Sequence, residues 1–147
     1  MSISPSREDV PREALRAWQP EAERYLAVLL DRSDALRFAC VGTADGRVLA
    51  NAARANAHST GDRIAAMTSS LVALSESFSK DALRSHCTHS VVSTGHGAIV
   101  VVRVPEPARG YVLSVASDGS ELMALTLRSA LDGADRLAQI IGGFAPR

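Results

Sequence analysis

The chain has 147 residues, a length that suits one compact domain with its own core. Its 16 basic and 16 acidic residues cancel, so we expect no broad electrostatic attraction to nucleic acid or to an anionic membrane surface. No apolar run approaches the length of a membrane span, and the polar start lacks the apolar segment of a signal peptide. These features predict a cytoplasmic protein without membrane insertion. The two cysteines, Cys40 and Cys87, fall in predicted strands and suit buried free thiols.

The first part of the chain predicts a polar extension, a helix and a hairpin. Residues 1–19 are polar and interrupted by prolines, which predicts a flexible N-terminal extension. From Pro20 to Arg32 the apolar residues share one helical face, so a first helix opens a domain that we place at residues 20–143. Apolar runs on both sides of Asp45-Gly46 then predict a β-hairpin.

A long second helix follows, for which Ser59 or Thr60 is a suitable cap. Apolar residues recur at three and four positions from Ile64 to Phe78, which predicts a continuous stripe of large side chains along one side. Small side chains permit another helix to approach closely, although they also suit an ordinary solvent-facing surface. Those beside the stripe are Ala66, Ser70, Ala73 and Ser77.

The rest of the chain predicts three strands and a helix. The segments Cys87–Ser93 and Ala98–Val104 form a second hairpin around a glycine-containing turn, and Tyr111–Ala116 is the fifth strand. Residues 117–120 are suited to open a last helix, with Gly142-Gly143 at its end.

The predicted order is thus α-β-β-α-β-β-β-α. Because the run from Ile99 to Val102 is apolar without alternation, we expect its strand to be buried on both faces of the sheet. The fold class is therefore α/β, a three-layer sandwich around a five-stranded, mostly antiparallel sheet.

Residues with metal-binding side chains cluster around the third strand, at His86, Cys87, His89 and His96. On a strand Cys87 and His89 share a face, but His96 lies past them in a turn, and no second group of ligands occurs at a zinc-site spacing. Polar histidines at a strand edge are the favoured interpretation, and we expect neither a metal nor a cofactor.

Catalytic motifs are not evident in the sequence. There is no Gly-x-Ser-x-Gly elbow, and Lys80 does not lie in a phosphate-binding loop, so we predict neither an enzyme nor a GTPase. Arg47, Arg103 and Arg109 could contact a carboxylate or phosphate of a partner, but a solvated edge is the simpler explanation.

From about Pro20 to Ile141, the chain resembles the roadblock family, the dynein-associated light chains and their bacterial relatives, which share a longin-like sandwich. The likeness is carried by the hairpin Val41–Ala50 with its Asp-Gly turn and by the Ala- and Ser-rich helix Asp62–Ser77, followed by three strands and a closing helix. The resemblance implies a non-catalytic homodimer that binds or regulates a small Ras-like GTPase, or serves as a scaffold in signalling.

In that family the third strand pairs with its twofold mate and the second helix packs beside its counterpart. The resemblance therefore implies a dimer or partner interface that includes Ala66, Ser70, Ala73, Ser77, Cys87, His89, Val91 and Ser93. A different possibility is a small-molecule-sensing α/β domain with a pocket under a helix.

Overall fold

The computed structural model describes residues 12–54, 61–108 and 110–143. Their order confirms the predicted α-β-β-α-β-β-β-α arrangement. The expected caps Ser59 and Thr60 lie outside the described residues. The elements are α1 (Arg12–Leu30), β1 (Leu36–Thr43), β2 (Val48–Ala53), α2 (Gly61–Leu83), β3 (His89–Thr94), β4 (Gly97–Arg103), β5 (Tyr111–Ser117) and α3 (Met123–Gly142).

All five strands join one antiparallel sheet in the order β2-β1-β5-β4-β3. The central strand is β5, which lies between β1 and β4, and Thr43 pairs with Tyr111 at one end of the β1–β5 ladder. In β4, Val100, Val101 and Val102 are all buried, as their unbroken apolar run predicted. Among the described strands, β3 pairs with β4 alone and so forms one margin of the sheet.

The two layers that cover the sheet are unequal. On one face, α1 and α3 pack with β1 and β5 in a large core whose centre includes Leu26, Leu113 and Leu137. On the other face, α2 covers a much smaller cluster built on Val72 and Val101. A surface helix is held mainly by the apolar face that it buries, so α2 is the more weakly anchored layer.

Helix α1 begins at Arg12, before the predicted start at Pro20, and residues 1–11 of the expected extension lie outside the described residues. Proline is tolerated at the first position of a helix, which is why the sequence predicts a start at Pro20. Two neighbouring side chains anchor the helix here. The ring of Trp18, which is buried, packs edge-on against Tyr111 with centroids 5.5 Å apart, and Gln19 donates to the carbonyl of Leu49 at 2.9 Å.

Helix α3 begins at Met123, later than the sequence predicted. The residues expected to open it form a separate turn, because the carboxylate of Asp118 accepts hydrogen bonds from the backbone N–H and the hydroxyl of Ser120 at 2.9 and 2.6 Å. These bonds, the hydroxyl bond first, lower the pKa of Asp118. Gly119 supplies the positive φ of +85° that the turn requires.

Candidate interaction surface

One side of α2 presents large apolar residues to solvent. Met67, Leu74 and Phe78 are 55%, 69% and 75% exposed, whereas the residues of this helix that are buried against the sheet have shorter side chains. They are Ala65, Thr68 and Val72. The predicted stripe is continuous, but most of its large side chains do not enter the core of their own subunit.

The small residues Ala66, Ser70, Ala73 and Ser77 are also exposed, on the side of α2 that faces away from the sheet. They lie beside the large residues, and together the two rows form one open surface, which we call the α2 surface. Between Ile64 and Ser79 the only charged residue is Glu76, and its carboxylate is engaged elsewhere. The α2 surface is therefore uncharged over about four turns.

Strand β3 divides its side chains between the two faces of the sheet. The hydroxyl of Ser90 donates to that of Ser75 on α2 at 2.8 Å, so Ser90 and Val92 share the face that α2 covers. His89, Val91 and Ser93 project from the opposite face and are exposed. Val91 and Val92 are each 40% exposed.

The structure therefore separates the predicted interface into groups. The α2 residues lie on one side of the sheet, whereas His89, Val91 and Ser93 belong to the margin but face the other side. Sequence reasoning missed Ser90 and Val92, which lie on the face of the sheet that α2 covers. Alternation identifies two sets of residues in a strand, but only the position of α2 shows which set faces it.

A groove of about 400 Å³ runs between α2 and the start of β3. Cys87, which precedes the strand instead of lying within it, is half-buried in this groove, with its Sγ 3.3 Å from the carbonyl of His89. Apolar side chains and hydroxyl groups line the groove, and no charged residue does. The lining residues are Leu74, Ser75, Phe78, Ser79, Cys87 and Ser90.

A polar cluster that includes the backbone of Cys87 surrounds Glu76, whose side chain is only 16% exposed. One carboxylate oxygen accepts from Nδ1 of His86 at 2.6 Å, and the other accepts from the backbone N–H of Cys87 at 3.1 Å. The guanidinium of Arg103 lies 3.5 Å from the second oxygen. The bond from His86, followed by that from Cys87, lowers the pKa of Glu76. The cluster thus joins α2, β4 and the segment before β3.

The other residues considered from the sequence are dispersed. The ring of His86 points to Glu76, and that of His89 lies 3.1 Å from the hydroxyl of Thr88. Within residues 12–54, 61–108 and 110–143, no three His, Cys, Asp or Glu side chains are grouped to hold a metal ion. No helix in these ranges is both long and apolar enough to cross a bilayer.

The three arginines are also separated. Arg47 lies 3.9 Å from the carboxylate of Asp45, a residue that also accepts a hydrogen bond from Thr43. Arg103 belongs to the Glu76 cluster, and Arg109 lies outside the described residues. The structure does not assemble these arginines into one basic patch among the residues that it describes.

The antiparallel sheet in the order β2-β1-β5-β4-β3, with α2 on one face and α1 and α3 on the other, defines an α/β sandwich of the roadblock or longin-like type. This confirms the fold class that was predicted from the sequence.

Comparison with solved structures supports the same class. An MglB protein in a tetrameric arrangement superposes with a TM-score of 0.76 at 20% identity, covering 88% of this chain and 93% of that one. The gliding protein MglB of Thermus thermophilus superposes with a TM-score of 0.74 at 19% identity, covering 86% of this chain and 93% of that one. A Roadblock/LC7 domain from Streptomyces avermitilis superposes with a TM-score of 0.72 at 16% identity, covering 82% of this chain and 97% of that one. The sequence matches no protein-family model and no curated protein. The chain therefore shares the fold of bacterial roadblock proteins.

Proposed function

We propose that this chain is a non-catalytic interaction module that forms a homodimer through the α2 surface and the margin of β3. The observation that carries the proposal is the exposed, uncharged face of α2, with Met67, Leu74 and Phe78, lying beside an unshared strand. Charged residues are depleted in the cores of protein interfaces, and exposed strand margins are templates for pairing. A second copy satisfies both features at once.

Twofold symmetry restricts how two β3 strands can pair. If both copies of α2 are to lie on the same face of a shared sheet, the axis must be perpendicular to that sheet. Residues paired across an antiparallel ladder project from the same face of the sheet. The axis must therefore lie midway between the two copies of one residue, which pairs with its own counterpart. Val91 and Val92, at the middle of β3, are the two positions that leave the pairing longest. If Val92 pairs with its counterpart, the two copies of Val92 meet on the face of the sheet that α2 covers. If Val91 does so, the two copies of Val91 meet on the opposite face.

A cysteine scan tests this arrangement. In a Cys87→Ser background we introduce Val91→Cys or Val92→Cys, with Val28→Cys as a control because Val28 is 60% exposed on α1, away from the proposed interface. We expect the self-paired position to form a disulfide between subunits under mild oxidation, at a faster rate than the control. Equal rates at all three positions would contradict the pairing of β3.

The dimer itself is tested by sedimentation. The parent protein should be dimeric at concentrations on the order of 100 µM. Phe78→Ser and Val91→Arg should both weaken the dimer, because one removes apolar area and the other places a charge in the margin. Val28→Ser is the control for Phe78→Ser, because it removes an exposed apolar side chain away from the proposed interface. A strictly monomeric parent protein would refute the homodimer.

We further propose that the dimer binds and regulates a small Ras-like GTPase. The support is the roadblock fold and its likeness to MglB proteins, one of which has a tetrameric arrangement. Calorimetry with a purified Ras-like GTPase from the same genome, loaded with GDP or a GTP analogue, tests the proposal. We expect binding that depends on the nucleotide, and the absence of binding in both states for every such GTPase would contradict it.

Small-molecule sensing is not favoured. The groove beside Cys87 has the volume of a ligand pocket, but Leu74 and Phe78 at its rim belong to the α2 surface, so a dimer partner would cover it. If a metabolite raised the melting temperature of the chain, that result would support small-molecule sensing.

A further inference from the structure

Apolar and polar contacts both place β3 relative to α2. Val72 on α2 is buried close to Ser90, whereas Leu74 and Phe78 are largely exposed. The hydrogen bonds that cross the junction include the bond between Ser75 and Ser90 and the two bonds that Glu76 accepts from the segment before β3. Hydrogen bonds thus contribute to holding the margin of the sheet against the helix.

Glu76 is the central group in this arrangement. Its two oxygens face three donors on two other parts of the chain, and bonds to an ionised carboxylate are stronger than those between neutral groups. Because an ionised carboxylate can only accept, the proton of the shared bond resides on Nδ1 of His86. Arg103 extends the same cluster to β4, the strand beside β3.

We propose that Glu76 is a positioning residue for self-association, which fixes the distance and angle between the α2 surface and β3. This inference rests on the proposed homodimer. A symmetric interface must match two patches at once, and it loses affinity when the patches move relative to each other. Glu76 does not need to touch the second copy to have this effect.

The first test compares Glu76→Gln with Glu23→Gln. Glutamine keeps the shape and can still accept from Cys87, but it removes the charge opposite Arg103 and His86. Glu23 is exposed on α1 and provides the same loss of charge away from the proposed interface. By sedimentation, we expect Glu76→Gln to raise the dissociation constant of the dimer about tenfold. The control should stay close to the parent protein.

Arg103→Gln and His86→Ala provide independent variants if Glu76→Gln does not fold. Each should weaken the dimer, and the double variant Glu76→Gln/Arg103→Gln should lose less than the sum of the two single losses, because both act through one cluster.

A role in folding alone is separated from positioning by a monomeric background. In Phe78→Ser combined with Val91→Arg, at a concentration where sedimentation shows a monomer, a positioning role makes Glu76→Gln lower the melting temperature less than it does in the dimer, whereas a folding role lowers it equally in both.

The outcomes distinguish the two proposals. If the parent protein is a dimer and the dissociation constants of Glu76→Gln and Glu23→Gln are equal, the positioning role is overturned while the homodimer stands. An equal loss of melting temperature in the monomeric background also overturns it. If the parent protein is monomeric, the homodimer and the role of Glu76 in it are both refuted. If the parent protein is a dimer, Glu76→Gln weakens it, and the double variant loses less affinity than the sum of the two single losses, then both the homodimer and the positioning role are supported.

Discussion

Thr68 on α2 and Ser114 on β5 are joined by a hydrogen bond between their hydroxyl oxygens, which lie 2.9 Å apart in the thin layer beneath the helix. Both residues are buried, so each hydroxyl depends on the other for a partner. Ser114→Ala leaves the hydroxyl of Thr68 without it, and we expect a loss of about 1 to 2 kcal/mol in the free energy of unfolding. Urea denaturation measures the loss.

The matched control is the double variant Thr68→Val/Ser114→Ala, which replaces both hydroxyl-bearing side chains with apolar ones. We expect it to be more stable than Ser114→Ala alone, because no buried polar group is left unpaired. Additive losses in the double variant would show that the two hydroxyls do not depend on each other.

The turn between β3 and β4 contains two glycines with very different surroundings. Gly97 has a φ of +138°, and a Cβ there would collide with the carbonyl of Ser117, whereas a Cβ on Gly95 would have no neighbour within 4 Å. We expect Gly97→Ala to lower the free energy of unfolding by about 3 kcal/mol. Gly95→Ala should change it by less than about 0.5 kcal/mol. Similar losses for the two variants would show that the turn is not packed against the end of β5 in this way.

The two cysteines should differ in their reactivity towards iodoacetamide. Cys40 is buried, and this burial, with a smaller effect from Asp62, raises its pKa to about 11. Cys87 is half-buried in the groove beside α2. Because the thiolate is the reactive form, we expect native protein at pH 8 to be labelled at Cys87, and at Cys40 only after unfolding. Peptide mass spectrometry separates the two sites.

The same reaction also reports on self-association. A second copy would cover the groove, so the rate of labelling at Cys87 should fall as the protein concentration rises. Labelling of Cys40 in the native protein at the same rate as Cys87 would contradict the buried position of Cys40.

Local signals in the sequence were sufficient to predict the element order. Asp45-Gly46 between apolar runs located the first hairpin, and Gly46 indeed has a positive φ of +98°. The boundaries were harder to predict where distant contacts override a local signal. Pro20 resembles a helix start, but Trp18 and Gln19 bind strands that come later in the chain and extend α1 upstream of it.

The interaction surface was predicted only in part. Periodicity grouped the residues of α2, but it could not show that Leu74 and Phe78 face outwards, because a stripe looks the same whether it meets its own sheet or another subunit. The Glu76 cluster could not be predicted either. His86, Cys87 and Arg103 reach Glu76 only when β3 and β4 pair beneath the helix, and no local spacing signals that contact.

The pairing of β1 with β5 at the centre of the sheet has a consequence for how the chain is made. A ribosome produces β1, β2 and α2 well before Tyr111 emerges, so the first hairpin must wait for the strand that completes its sheet. Throughout that interval Val72 of α2 lacks the complete set of strand residues, Val101 and Val112, with which it forms the small cluster under the helix. We therefore expect the nascent chain to be exposed to aggregation until β5 emerges and completes the sheet.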